Sequence, residues 1–377
     1  MGGHDVQRYL LTEAMVGREV AVDIAGPDGT GLLVAAGVRL DRRDVAALLS
    51  RGVQHVFLRD ELFPDFPVLD TVPVHVRLEA AAAVSDITAA LSRPRQERPV
   101  AELRRLLQAA RKLVEEVLAA EAEVSDLGPW DAGGTDRAAH AVEAAAIAVQ
   151  IGRHYPLARD QLLRLCLGTL LMDVGLGRMP ESILSQPGLL DADGVTAMLG
   201  HPRAGWQIIH RWLPSVAPTA ASVVLQHHER LDGSGYPKGR QGPDIYLFAR
   251  IAAVADVLTA VRSDRPHRRR FRPAQIVGLL QEEAGVALDN KSCAIVLRHV
   301  AIVPHGAIVR LTDGALAKVV AHSPSAPLQP LCVVLADSGG DIQRRQVQLR
   351  GSRVYVREIL DDWPQAVLER ARRGRIL

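Results

Sequence analysis

Long apolar runs are missing from this 377-residue chain; no window approaches about 18 consecutive apolar residues, which excludes a hydropathy-driven membrane span. The first residues carry Asp5, Arg8 and Glu13 where a secretory leader needs an apolar stretch. Cysteine is scarce. Cys166, Cys293 and Cys332 are far apart, odd in number and without CxxC spacing, which excludes a disulfide framework or a zinc ribbon. They read as buried thiols in a reducing compartment. A net charge of +2 gives no global electrostatic case for nucleic acid or an anionic membrane. The basic run His267-Arg268-Arg269-Arg270-Phe271-Arg272 has no aromatic interleaving for base stacking and reads as a solvated turn. Lysine is sparse beside arginine and alanine is abundant, a mark of GC-rich coding more than of function. The expectation is a cytoplasmic protein with neither nucleic acid nor membrane as partner.

What is present divides into four segments. Residues 1–72 read as a small mixed module. Glu19–Ile24 alternates as a half-buried strand, a Pro-Asp-Gly turn at 27–29 leads to a strand at Leu32–Ala36, Asp41 caps a short helix ending near Gly52, and Val53–Leu58 is another strand. Residues 73–130 read as a helical connector broken at Ser92–Arg95. Within it Leu103, Leu106, Leu107, Ala110, Leu113, Val114 and Val117 repeat at helical spacing, the stripe of a packing or dimer helix. Residues 131–302 are helical in pattern throughout, and 303–377 form a β-rich extension with strands near 306–314, 317–321, 331–336 and 345–349 and a short helical tail. The fold class is mainly α: an all-helical metal-site bundle between a small mixed α/β N-terminal module and a small β-rich C-terminal module.

The chemistry concentrates in His227-His228-Glu229-Arg230-Leu231-Asp232-Gly233-Ser234-Gly235-Tyr236-Pro237. Imidazole and carboxylate are the ligands divalent transition metals prefer when no thiolate is offered. The glycines and proline imply a stiff turn after a helix that carries the His pair. His140, Asp173, His201 and Asp256 fall on neighbouring helical segments, Asp173 and Asp256 interrupting apolar stretches where a lone carboxylate is costly. Each alone reads as a cap or a satisfied core group; together, one ligand per helix, they read as a metal centre.

The eleven-residue string resembles the signature of the HD-GYP family, metal-dependent phosphodiesterases that open cyclic di-GMP. The resemblance covers roughly residues 136–300 and implies an HD-type bundle with His140, Asp173, His201, His227, His228 and Asp256 as metal ligands, and Asp136 one turn before His140. Asp173 and His228 are the implied catalytic residues, Arg265 and Arg268 the implied phosphate contacts, and Gly235, Tyr236 and Pro237 a loop for a diguanylate cyclase (GGDEF) partner. Three positions depart from the family. Met172 replaces the histidine of the His-Asp doublet, Leu176 replaces a lysine that meets phosphate, and His267 stands for a tyrosine. Methionine suits iron or manganese poorly. The resemblance therefore implies one or two divalent ions, iron or manganese before zinc, and a weakened cyclic di-GMP phosphodiesterase, with a homodimer as the expected assembly. The alternatives are a non-catalytic module binding nucleotide or a cyclase partner through its Gly-Tyr-Pro loop, and an HD-type phosphohydrolase acting on other nucleotides.

Overall fold

In the computed structural model of the chain, the residues described are 6–21, 23–25, 32–51, 53, 55–59, 71–92, 98–127, 137–184, 191–214, 216, 218–263, 268–360 and 362–373. The backbone clusters into two units, one of Met1–Leu69, Arg272–Ala274 and Ile302–Leu377, the other of Asp70–Phe271 and Gln275–Ala301.

The N-terminal part runs β1 (Val6–Leu10), β2 (Ile24–Ala25), β3 (Leu32–Val34), α1 (Arg42–Ser50) and β4 (His55–Arg59). Asp41 starts α1 because its carboxylate accepts from the Arg43 and Asp44 N–H groups while Asp44 accepts from the Asp41 N–H. β2 and β3 make the hairpin expected around residues 27–29, whose turn lies outside the described residues. β1, which residue alternation did not reveal, pairs antiparallel with β4.

The helices follow: α2 (Val74–Ser92), α3 (Val100–Ala119), α4 (Arg137–Gly152), α5 (Arg159–Leu170), α6 (Glu181–Leu184), α7 (Ala192–Trp212), α8 (Pro218–Gln226), α9 (Leu247–Arg262), α10 (Pro273–Glu283) and α11 (Asn290–His299). α4 is the axis of the bundle. Fourteen of its sixteen residues are buried, as an alanine-rich helix that is apolar on every side must be. Its small side chains let α5 and α9 close against it. The apolar stripe of α3 (Leu106, Ala109, Ala110, Leu113, Val114, Val117) is covered within the chain by α2, α4 and α5. Among the described residues no helix is long and apolar enough to cross a membrane.

The C-terminal part is an antiparallel sheet of β5 (Ile308–Leu311), β6 (Leu316–Ala321), β7 (Leu331–Ala336), β8 (Ile342–Gln348) and β9 (Val356–Leu360), in the order β8-β7-β6-β5-β9, followed by α12 (Gln365–Arg373). Its residues Ile308, Leu316, Val333, Leu335, Trp363 and Val367 form one core with Tyr9, Val20, Leu40, Leu48 and Leu58 from the other end of the chain. At about 1.5–3 kcal/mol per fully buried large apolar side chain, this shared core is what joins the two ends.

Candidate metal centre

Asp173 lies just beyond the end of α5, at the start of a 3-10 turn spanning Val174–Arg178. That turn lies flat against α7. A Cβ at Gly175 would run into the His201 carbonyl and the Gly205 amide, so only glycine permits the approach that brings Asp173 to His201. His201 is followed by Pro202 inside α7, and proline has no N–H to offer the carbonyl four residues back. That carbonyl belongs to Met198, and it lies 2.6 Å from His201 Nδ1. A ring that donates through Nδ1 presents a lone pair at Nε2, the form that binds a metal.

His227 reaches the same state by another route. α8 ends at Gln226, leaving carbonyls without helical partners, and His227 Nδ1 lies 3.0 Å from the Val224 carbonyl. The two Nε2 atoms are 3.4 Å apart, and Asp173 Oδ1 lies 3.3 Å from His201 Nε2 and 3.7 Å from His227 Nε2. With both Nδ1 atoms engaged on carbonyls, the two Nε2 atoms and the carboxylate oxygen converge on one point that a proton or a cation can hold together. Burial pushes the Asp173 carboxyl up, but hydrogen bonds and positive charge from His201 and His227 outweigh it and hold it well below the ordinary carboxylate range. Asp173, His201, His227 and His228 offer ligand atoms all within 4.8 Å of one another. This donor set fits a divalent cation.

The two carboxylates of the signature string are not in that group. Glu229 is buried, and its oxygens accept from the Lys238 N–H at 2.9 Å and the Arg240 N–H at 2.8 Å, fastening the loop back to the helix end. Asp232 accepts from the Ser234 N–H and hydroxyl, closing the turn. Gly235 passes so close to the His228 carbonyl and the Arg230 amide that a Cβ has no room. Tyr236 turns inward and stacks on His228, ring centroids 4.7 Å apart. Burial, then the neighbouring His227, pushes His228 well below the usual imidazole range, which keeps it neutral. Gly235, Tyr236 and Pro237 are half-buried, whereas Ser234, Lys238 and Gly239 face solvent.

His140 and Asp256 lie beside this group and are engaged with each other. His140 Nε2 is 2.8 Å from Asp256 Oδ1, and the other carboxylate oxygen is 3.8 Å from His228 Nδ1. Burial raises the Asp256 carboxyl, but the His140 hydrogen bond and charge bring it below the ordinary range. Met172 is fully buried. Leu176 sits in the 3-10 turn, half-buried. Arg268 donates to the Ala260 carbonyl at 2.7 Å and lies over the Phe271 ring. Asp136, Arg265 and His267 lie outside the described residues. The sequence reading missed the anchoring role of Glu229 and the pairing of Pro202 with Met198; a His-Pro step inside a helix was the available signal for the second.

The HD domain family matches residues 102–291. A cyclic di-GMP phosphodiesterase of Pseudomonas aeruginosa is 32% identical over 191 residues, covering 51% of this chain and 46% of that protein. A 3'3'-cGAMP-specific phosphodiesterase 2 of Vibrio cholerae is 32% identical over 169 residues, 45% of this chain and 32% of the relative. The chain thus spans less than half the length of these curated relatives. Among solved structures, Bd1817, a HDG"Y"P protein from Bdellovibrio bacteriovorus, is 14% identical with a TM-score of 0.49, covering 78% of this chain and 98% of that one. The match to half the chain places this protein in the HD domain family, and the His-His-Glu to Gly-Tyr-Pro string inside the matched segment resembles the HD-GYP signature.

Proposed function

We propose that this chain is a metal-dependent phosphodiesterase that hydrolyses a cyclic dinucleotide, cyclic di-GMP before 3'3'-cGAMP, at a one-ion centre held by Asp173, His201 and His227 with His228. The observation that carries the reading is the convergence of two Nε2 atoms and one carboxylate oxygen within 3.3–3.7 Å, each ring turned by a backbone carbonyl. A bound cation supplies Lewis acidity toward a phosphate oxygen and a nucleophile at neutral pH. The chain's own residues do the rest. Asp173 would bring the negative charge that holds the ion, Tyr236 stacks on His228 and fixes its ring beside it, and Glu229 fixes the loop that carries Tyr236. Iron or manganese is the proposed metal, and the three buried free thiols fit a cytoplasmic setting.

Turnover is proposed to be weak. With Met172 in place of an imidazole, a second ion would find only His140 and Asp256, already 2.8 Å from each other, to hold it, and Leu176 would offer phosphate no charge. The same pairing favours a second reading, a module that binds a cyclic dinucleotide or a cyclase partner without cleaving it; such a partner would meet Ser234, Lys238 and Gly239 at the loop's exposed rim. One experiment separates the two. Protein reconstituted with manganese or ferrous iron is incubated with cyclic di-GMP and, separately, 3'3'-cGAMP, and products are separated by chromatography beside an Asp173→Asn control. Slow turnover abolished in the control supports the enzyme; saturable binding with no product in either sample supports the binding module and sinks the enzymatic reading.

A further inference from the structure

One turn beyond His140 on α4 stands Glu143, and six residues beyond Asp256, at the end of α9, stands Arg262. Their side chains are 3% and 2% exposed, and Arg262 Nη1 lies 3.8 Å from Glu143 Oε1. The guanidinium makes no hydrogen bond through Nε, Nη1 or Nη2 among the described residues, an uncommon state for so buried a cation. Two more buried charges, Arg77 of α2 and Asp126, share its electrostatic environment, making two cations and two carboxylates. Arg77 is held to the Val72 carbonyl at 2.9 Å, and a cavity of about 10 Å³, room for roughly one water, is lined by Arg77, Leu127, Val142, Glu143 and Ala146. Burial pushes the Arg262 guanidinium down, and Glu143 and then Asp126 oppose it.

A buried pair at this separation is poor adhesive: apolar residues of similar volume commonly serve stability as well or better. What it does supply is register. Apart from His140 and Gln150 on α4 and Asp256 and Thr259 on α9, the residues around these charges are mostly alanine, valine, isoleucine and leucine, surfaces on which neighbouring registers differ little in energy. A fully buried charge on each helix penalises every register that separates the pair, because a lone buried charge is far costlier than a lost apolar contact. The register that brings Glu143 to Arg262 is also the one that brings His140 to Asp256.

We propose that Glu143 and Arg262 are positioning residues, a buried charge clamp that sets α4 against α9 so that His140 meets Asp256. The clamp also takes in Arg77 at the start of α2. As a contribution to hydrolysis this rests on the phosphodiesterase reading above; as a statement about the helices it does not, and the test reads the helices directly.

The metal-free full-length protein, labelled with 15N-histidine, is examined for the low-field imidazole N–H proton of His140 on Asp256, assigned by its disappearance in His140→Gln. In a Glu143→Leu, Arg262→Met double variant the expected outcome is cooperative unfolding with a midpoint within a few degrees of the parent, but loss of this resonance. Arg262→Lys, which keeps the charge, retains the resonance. Should the double variant fail to fold, Glu143→Gln carries the test, with loss of the resonance expected. A folded double variant, or a folded Glu143→Gln, that keeps the parent resonance overturns the clamp, whether or not the parent turns over a cyclic dinucleotide.

Discussion

Around Asp173, two imidazoles turn their Nε2 atoms toward one another and toward a carboxylate oxygen; around Asp256, a single imidazole lies within hydrogen-bond distance of the carboxylate. The chemistry of the donors is the same on both sides. What differs is how the chain disposes of the imidazole's other nitrogen and who stands next in line. His201 and His227 are each held at Nδ1 by a backbone carbonyl, so the metal-facing nitrogen has no other use. His140 has Asp256 within 2.8 Å, and Met172, next to Asp173 in the chain, is an apolar side chain sealed from solvent. A site therefore depends on donors that lack a better partner inside the protein, and the mere count of His and Asp residues does not measure that.

The largest expected effect comes from breaking the half that converges. Asp173→Asn removes the only negative charge among the four clustered donors. Manganese content, measured by plasma mass spectrometry after reconstitution and desalting, should fall from one per chain to background, and hydrolysis by at least about 100-fold. Retention of one manganese in this variant would place the ion elsewhere.

The reverse change should make the second half resemble the first. Met172→His puts an imidazole of similar bulk beside Asp173, competing with His140 for the demands of Asp256. The expected outcome is a rise from one to two manganese ions per chain and a gain in turnover of about 10-fold or more. A stoichiometry fixed at one would mean that the His140–Asp256 pair, and not Met172, excludes the second ion.

A smaller effect tests how the loop supports both halves. Gly235 passes the His228 carbonyl too closely for a Cβ, and His228 lies between His227 and Asp256. Gly235→Ala should cost about 2–3 kcal/mol, lowering the midpoint of thermal unfolding by roughly 5–10 °C, and weaken manganese binding as well. Unfolding in the presence and absence of manganese separates the two losses.

Much of this was legible before any coordinate. His140, His201 and Asp256 fall on separate helices that apolar periodicity locates, and the glycines of the string announce a turn. Asp173, expected to interrupt an apolar helix, lies instead just beyond the end of α5, and His227 and His228 just beyond the end of α8. Two things were not legible, for physical reasons. The carboxylates of Glu229 and Asp232 look like ligands by residue type, yet loop amides and a serine claim them first, and only the fold of the loop decides that competition. Likewise, β1 pairs with β4 across some 45 residues and the two chain ends share one core. Such pairings are set by tertiary burial, which no local alternation encodes.

The smallest expected effect concerns a histidine remote from both halves, and it sets the baseline for their acid response. Acid should release an ion from His201 and His227, since protonated imidazole cannot ligate, but acid also loads the rest of the fold. His154, packed face to face on His299 with centroids 4.1 Å apart, has a pKa pushed down to about 4 by burial, then by the charges of His299, Arg153 and Lys291. The depressed value means that folded protein resists a proton the unfolded chain accepts near 6.5. Above pH 6.5 this group contributes nothing; between 6.5 and about 4 the unfolded state gains the proton first and stability falls; below 4 the loss is complete. After discounting for its partial exposure the loss is about 1–2 kcal/mol. His154→Phe keeps a ring against His299 and removes the proton site. In metal-free protein the midpoint of thermal unfolding should drop between pH 7 and 4.5 by roughly 2–8 °C more in the parent than in this variant. Equal slopes would assign the background to other groups. With that background removed, the remaining acid dependence of the manganese-loaded protein should belong to the converging half, where the ion is proposed to sit.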